Sequence, residues 1–281
     1  MGNLELTPKP NHSLFRLMAI GTWRTSTDPS VYGAMQVEMG AAERYLEAFR
    51  TATGKRLTVS HMMAKAMGEV FERVPDANSV LRFNRLYRRS RVGVFFQVVL
   101  KDELTGEADL SGATIFDPKD KSLLEIVEEF EARTARTRDR TDPKEKGRSV
   151  VRWIPHLLLN GFFSMISFLT GALNLNLTAL GIPKDPFGSV MVTNIGSLGL
   201  EEAYAPLVPY SRVPMVVSMG KVVDRPVVRD GAVVPGRVMQ LSATIDHRVL
   251  DGAHAAAMAD VVRDWFEHPY ERFGPIPGDA G

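Results

Sequence analysis

The segment that most constrains the fold is Asp246–Gly252 (DHRVLDG), because it joins two runs of different periodicity. The residues before it, from Val238 to Ile245, are mostly β-branched or otherwise apolar, which is typical of a strand. The residues after it repeat at helical spacing: Ala253, Ala256, Ala257, Val261, Val262, Trp265 and Phe266. Asp251 is placed to cap that helix. The sequence therefore predicts a strand-to-helix corner that presents His247 at its edge.

A second segment lies about fifty residues earlier, at positions 190–199 (VMVTNIGSLG). It reads as a strand that runs into a glycine-rich turn carrying a hydroxyl and an amide. Each segment also has a purely structural interpretation. Asp251 and Gly252 could form a helix cap alone, His247 could be a satisfied histidine at a strand end, and Asn194 could satisfy backbone groups of a turn.

Taken together, the two segments resemble the catalytic domain of the acyltransferase components of 2-oxo acid dehydrogenase complexes. That family shares its fold with chloramphenicol acetyltransferase. Its signature is an aspartate-histidine-arginine-x-x-aspartate-glycine segment, preceded by a strand that ends in serine or threonine, asparagine, any residue and glycine. The resemblance covers residues 188–269 well, with Val213–Val228 similar to a family strand, and residues 14–139 less closely. It implies an α/β two-layer sandwich, chloramphenicol acetyltransferase-like, with a mixed sheet and flanking helices.

The resemblance also implies roles for particular residues. Acyl transfer to a thiol needs a base, and an imidazole with a pKa near 6.5 is a workable base for a thiol with a pKa near 8.5. His247 is the candidate base, and Thr193 matches the hydroxyl that donates to the oxyanion of the tetrahedral intermediate. Asp251 would position the site through an N-terminal arginine, either Arg16 or Arg24.

The glycine-rich turn supplies the candidate substrate-binding residues, which are Asn194, Gly196 and Ser197. Coenzyme A is the expected acyl carrier, and it acts as a substrate. A lipoyl group is compatible with the chemistry but is not expected on this chain, which leaves no room for a lipoyl domain and so favours a stand-alone form. The resemblance further implies a homotrimer or a higher multiple of three, with 2-oxo acid dehydrogenase enzymes as candidate partners.

The predicted function is transfer of an acyl group between coenzyme A and a thiol such as dihydrolipoamide, or another small acceptor. Two alternatives stay open: a catalytically idle trimeric scaffold of a multi-enzyme complex, and a membrane-associated lipid acyltransferase. Retention of His247, Thr193 and Asp251 together favours the enzyme, since a scaffold needs none of them.

Composition narrows the class of protein. The 281 residues carry a net charge of +1 and no cysteine, with 44% apolar and 24% charged residues. These values are ordinary for a globular domain. The absence of cysteine excludes disulfides, thiolate metal sites and a thiol nucleophile. We expect no metal site, because His254 lies on the helix after the cap and no other clustered ligand supports a site made of His247, Asp251 and His254. We expect no nucleic-acid partner, and the lack of a secretory signal favours a cytoplasmic protein.

One domain is expected at 14–281 after a loose tail at 1–13. Alternating apolar residues predict a strand at 31–39. Helices are predicted from Gly40 to about Gly54, from Thr58 to Phe71, where a methionine stripe is expected in the core, and from Leu123 to Arg138. The run 92–100 has the length of a buried strand.

Residues 153–183 depart from the family and contain no Asp, Glu, Lys or Arg. The pattern predicts a helix with one stripe of small or polar residues and a broad apolar exterior. The stripe consists of Asn160, Ser164, Ser167, Gly171, Asn174 and Thr178. The insertion, at about 150–184, could be a buried hairpin or lid over an acyl pocket, a contact between subunits, or a membrane-surface or membrane-spanning segment. Packing against protein is the preferred interpretation.

Overall fold

A computed structural model describes residues 28–101, 108–138 and 154–278. The predicted tail at 1–13, together with Arg16 and Arg24, lies outside these ranges. The strands are β1 (Ser30–Glu38), β2 (Ser79–Arg82), β3 (Arg85–Arg88), β4 (Gly93–Lys101), β5 (Ala108–Phe116), β6 (Val190–Asn194), β7 (Met215–Met219), β8 (Val223–Arg229) and β9 (Ala232–Asp246). The α-helices are α1 (Gly40–Thr53), α2 (Val59–Arg73), α3 (Leu123–Arg138), α4 (Leu159–Ser167), α5 (Gly252–Glu267) and α6 (Pro269–Arg272).

Seven of these strands form one mixed sheet. Its order is β1-β9-β7-β6-β4-β5, with β8 paired to the far part of the long strand β9. The pairs β4–β6 and β6–β7 are parallel, and the other pairs are antiparallel. Strands β2 and β3 form a separate hairpin. The predicted mixed sheet with flanking helices is confirmed.

The main core lies between one face of the sheet and the helices. Helix α1, predicted from Gly40 to about Gly54, buries Ala42, Tyr45, Leu46 and Phe49. Helix α2 begins after Thr58, and its methionines 62, 63 and 67 are buried in the same core. Their flexible thioethers suit irregular gaps between helices. A smaller cluster on the opposite face contains Phe95, Met191, Val213 and Val216.

Two local predictions need correction. The stretch 213–228 is two strands, β7 and β8, separated by Gly220, Lys221 and Val222. In α5 the helix itself is confirmed, but Ala253, Ala256 and Ala257 face outward. The buried face of α5 is formed by Met258, Val261, Val262, Trp265 and Phe266. Alanine has little apolar area to bury, so the larger residues determine which face packs.

The insertion is only partly helical. Helix α4 continues into a wider π-helical turn at Phe168–Ala172 and stops there, so Asn174 and Thr178 lie beyond it. A short 3₁₀ turn follows at Thr178–Leu180. Within the described ranges, no helix is long and apolar enough to cross a membrane. Of the predicted stripe, Ser167 is buried and Gly171 is half-buried, whereas Asn160, Ser164, Asn174 and Thr178 are exposed.

Candidate active site

The corner between β9 and α5 is held by Asp246, the last residue of the strand. Its carboxylate accepts hydrogen bonds from the backbone N–H, Nε and Nη2 of Arg248, at 3.0, 2.9 and 2.7 Å. Its carbonyl accepts from the backbone N–H groups of Val249 and Leu250. The Asp246 side chain is buried, and its hydrogen bonds raise the pKa of Arg248. The side chain and the backbone carbonyl of Asp246 therefore both hold the turn that carries His247.

The His247 ring is exposed, and its environment defines its tautomer. Nδ1 lies 2.8 Å from the carbonyl oxygen of Leu250. Because a carbonyl can only accept, Nδ1 must carry the proton in this contact. The neutral ring then has its lone pair on Nε2. The corner thus presents an oriented imidazole whose outward nitrogen can accept a proton.

Asp251 is the N-cap of α5, as the sequence predicts. Its Oδ1 accepts from the backbone N–H of His254 at 3.0 Å and lies 2.7 Å from Nδ1 of the same residue. These bonds lower the pKa of Asp251, the backbone bond contributing most. Asp251 and His254 therefore form a capping box, which accounts for His254 without a metal-binding role.

Thr193 and Asn194 end β6 at the other predicted site segment. The Asn194 side chain accepts from the Ser197 backbone N–H at 3.1 Å, and Ser197 Oγ donates to the Asn194 carbonyl at 2.7 Å. The Asn194 side chain thus accepts a hydrogen bond from a backbone N–H group of the turn. Gly196 is required by space, since a Cβ there would meet Gly220 O and Lys221 N at 2.7 Å. Thr193 is half-buried at the strand end.

A cavity of about 170 Å³ adjoins this turn. All three predicted substrate-binding residues line it: Asn194, Gly196 and Ser197. The remaining walls come from the first residue of α2, the end of β7 and the middle of β9, namely Val59, Met219, Gly220, Lys221, Val222 and Met239. Pockets for drug-sized ligands are usually about 300 to 1,000 Å³, so this space suits one end of a larger molecule. Sequence analysis missed the walls from α2 and β9, because they come from segments far apart in the chain.

Thr193 and His247 do not meet within one chain. Thr193 is in register with Ser218 of β7, which is in register with Ser242 of β9, and His247 lies five residues beyond Ser242. At about 3.3 Å per residue and about 4.8 Å between strands, their Cα atoms are roughly 19 Å apart. The two residues therefore lie at opposite ends of the strands. The end of the sheet that carries each residue is called the His247 edge or the Thr193 edge below.

Arg212 is a feature of the His247 edge that the sequence analysis did not single out. It leads into β7, adopts a left-handed backbone (φ 54°) and donates from Nε to Ser167 Oγ at 2.9 Å. Burial, followed by the charges of Arg248 and Arg82, lowers its pKa. The Arg212 side chain also packs against Gly171. A Cβ added at position 171 would lie 2.3 Å from Cδ of Arg212. Arg212 thus ties the insertion to the strand beside the His247 corner.

Comparison with known proteins finds a similarity over the part of the chain that carries these two edges. Residues 186–273 match the model of the 2-oxoacid dehydrogenases acyltransferase (catalytic domain). This part, about a third of the chain, is similar to that catalytic domain. The matched segment contains both site segments and the cavity residues from β6 to β9.

One curated relative is the lipoamide acyltransferase component of the branched-chain alpha-keto acid dehydrogenase complex of Pseudomonas aeruginosa. It is 35% identical over 85 residues, which are 30% of this chain and 19% of the relative. The aligned part thus spans about a fifth of that protein. The match supports the family relationship for the C-terminal part of the chain.

Solved acyltransferase structures extend the likeness to the whole fold. A dihydrolipoamide acetyltransferase of Azotobacter vinelandii superposes with a TM-score of 0.64 at 20% identity, covering 96% of this chain and 94% of that one. The cubic core of a pyruvate dehydrogenase multienzyme complex gives a TM-score of 0.63, also at 20% identity, with the same coverage. At this identity the superpositions establish the fold alone, and they confirm the predicted fold class.

Proposed function

We propose that this chain transfers an acyl group between coenzyme A and a thiol such as dihydrolipoamide, or another small acceptor, with His247 as general base. The observation that carries the proposal is the contact between His247 Nδ1 and the Leu250 carbonyl. It puts the lone pair of the neutral ring on Nε2, which can then take the proton of an incoming thiol. The resulting thiolate attacks the thioester carbonyl, and the leaving thiol recovers the proton from the imidazolium.

Thr193 would stabilise the oxyanion of the tetrahedral intermediate by donating from its hydroxyl. Because it lies roughly 19 Å from His247 in one chain, the site requires the Thr193 edge of one copy beside the His247 edge of another. A cyclic trimer repeats this heterologous contact three times and closes. The likeness to the cubic core of a pyruvate dehydrogenase complex supports such an assembly.

The Azotobacter protein gives further support. Its structural study names a serine, a histidine and, four residues after the histidine, an asparagine in its catalytic mechanism. In this chain Asp251 stands four residues after His247, and a threonine stands at the end of β6. Asp251 caps α5, and through that cap it fixes the helix that follows the base. The cavity beside Asn194, Gly196 and Ser197 would accept the thioester end of the acyl carrier.

The shared site can be tested by mixing two inactive variants. His247→Ala and Thr193→Ala are purified, mixed at equal amounts under exchange conditions, and assayed with acyl-coenzyme A and dihydrolipoamide. In a randomly mixed cyclic trimer, about a quarter of the sites combine an intact His247 with an intact Thr193. We therefore expect about a quarter of the wild-type activity to return.

The matched control mixes His247→Ala with the double variant His247→Ala/Thr193→Ala, which offers no intact site. A wild-type protein that is an active monomer by light scattering would contradict the shared site. A wild type that transfers no acyl group to any thiol, hydroxyl or amine acceptor would contradict the enzyme and favour the scaffold.

A further inference from the structure

An apolar surface lies outside the proposed acyl-transfer site. It is formed by the insertion and by the tip of the β2–β3 hairpin, and is called the apolar face below. Leu157 and Leu180 are 92% and 75% exposed. The other large exposed members are Phe83, Leu158, Met165, Phe168, Leu173 and Leu175. Exposed apolar residues are common singly, but eight large ones on the insertion and on the hairpin that contacts it indicate an interaction surface.

Hydrogen bonds hold the insertion in the orientation that exposes these residues. Arg82 Nε donates to the Ala172 carbonyl at 2.9 Å, and Arg212 Nε donates to Ser167 Oγ at the same distance. Phe83, at the hairpin turn, packs edge-on against Phe168 with ring centroids 6.3 Å apart. The Ala172 carbonyl and the Ser167 hydroxyl thus face the protein, while Leu157, Leu158, Leu173, Leu175 and Leu180 are exposed. The apolar face is a fixed feature of the fold.

The charges around the apolar face are cationic. Residues 154–183 contain no charged Asp, Glu, Lys or Arg side chain, and the hairpin segment 79–91 carries five arginines and no carboxylate. Arg88 and Arg89 are neutralised by Asp76 and Asp185. Arg85 and Lys184 have no ion pair among the described residues. Among the described residues, the hairpin and the end of the insertion therefore carry two cations, Arg85 and Lys184, without a paired carboxylate.

We propose that the apolar face docks on an anionic lipid surface. Leucine and phenylalanine side chains would enter the boundary between headgroups and acyl chains, while Arg85 and Lys184 would contact lipid phosphates. A second copy paired two-fold through this face fits less well, because that contact would bring the same unpaired cations together, and like charges in contact oppose association. Helix α4 has nine residues, so it would lie in the plane of the lipid surface rather than cross the bilayer.

Vesicle co-sedimentation of the full chain tests this proposal. We expect binding to vesicles of phosphatidylcholine with phosphatidylglycerol, much weaker binding to phosphatidylcholine alone, and loss of binding as salt is raised. Leu157→Ser/Leu180→Ser should lower partitioning at least about tenfold, since the contribution of two buried leucines is removed. Both positions are exposed, so the fold should not change.

Val228→Ser/Val233→Ser is the matched control, because these valines are 71% and 72% exposed on the β8–β9 hairpin. It should bind as the wild type does, and Arg85→Gln should bind less tightly. Absence of wild-type binding to anionic vesicles, or equal binding by the leucine variant, would overturn the proposal. A fall in oligomer mass in the leucine variant, measured by light scattering without lipid, would also overturn it by assigning the face to a second copy.

Discussion

The two edges of the central sheet differ in how they hold their functional residues. At the His247 edge, the Leu250 carbonyl orients the His247 ring, and the Asp246 carboxylate holds the neighbouring Arg248. At the Thr193 edge, two glycine-containing loops pack so closely that backbone meets backbone, and a cavity forms beside them. One edge is suited to present a base and the other to enclose a ligand. Each is incomplete alone, which is the physical reason to expect a second chain at the site.

The largest effect should follow from removing the base at the His247 edge. His247→Ala should lower kcat about 10²- to 10⁴-fold, because no other group in that corner can take the thiol proton. Steady-state assays with an acyl-coenzyme A donor measure the loss. His268→Ala, at the exposed end of α5, is the control and should keep wild-type turnover. Near-normal turnover of the His247 variant with every donor would assign the base elsewhere.

Removing the hydroxyl at the Thr193 edge should have the next largest effect. Thr193→Ala should lower kcat about 10²- to 10³-fold with KM for the acyl donor little changed, because the bond forms chiefly in the transition state. Thr193→Ser keeps the hydroxyl and should retain much of the activity. Equal losses in the alanine and serine variants would instead indicate that the threonine methyl matters for packing.

The buried His61 should make the stability of the fold depend on pH. His61, in the first turn of α2, is buried, and burial lowers its pKa to about 4. Below about pH 6.5, His61 binds a proton in the unfolded chain but stays neutral in the folded chain until the pH approaches 4. The free energy of unfolding therefore falls as the pH drops from about 6.5 to 4, by at most about 3 kcal/mol.

Urea titrations at several pH values measure this dependence. His61→Gln removes the titrating group while keeping a side-chain acceptor at the third position of α2, so its curve should be flatter. An equally steep curve for His61→Gln would place the titrating group elsewhere.

The smallest effects should come from adding one methyl group to each edge. Gly196→Ala forces a Cβ to 2.7 Å from backbone atoms and should destabilise the fold by about 1–3 kcal/mol. Gly252→Ala, at the first position of α5, meets nothing within 4 Å and should stabilise it by about 0.4–1 kcal/mol. Thermal unfolding compares the two. Similar values for both variants would mean that the Thr193 edge is less rigid than its close backbone contacts indicate.

Local periodicity predicted the elements with strong patterns. The buried residues of α1 and the bounds of α3 follow directly from apolar spacing, because each helix has one face toward the core. The Asp251 cap was also predictable, since capping depends on residues three positions apart. The break between β7 and β8 was missed, because the residues on both sides of Gly220 are strand formers. What breaks the strand there is the close approach of the chain at Gly196 and Glu201.

The sequence by itself determined which residues have chemistry to offer: one histidine at a strand-to-helix corner, one threonine at a strand end, and an uncharged insertion. Only the tertiary structure decided where they lie. Strand register separates His247 from Thr193, the carbonyl of Leu250 selects the tautomer of His247, and Arg82 and Arg212 orient the insertion with its leucines outward. These outcomes depend on pairing between segments far apart in the chain, which local spacing cannot encode.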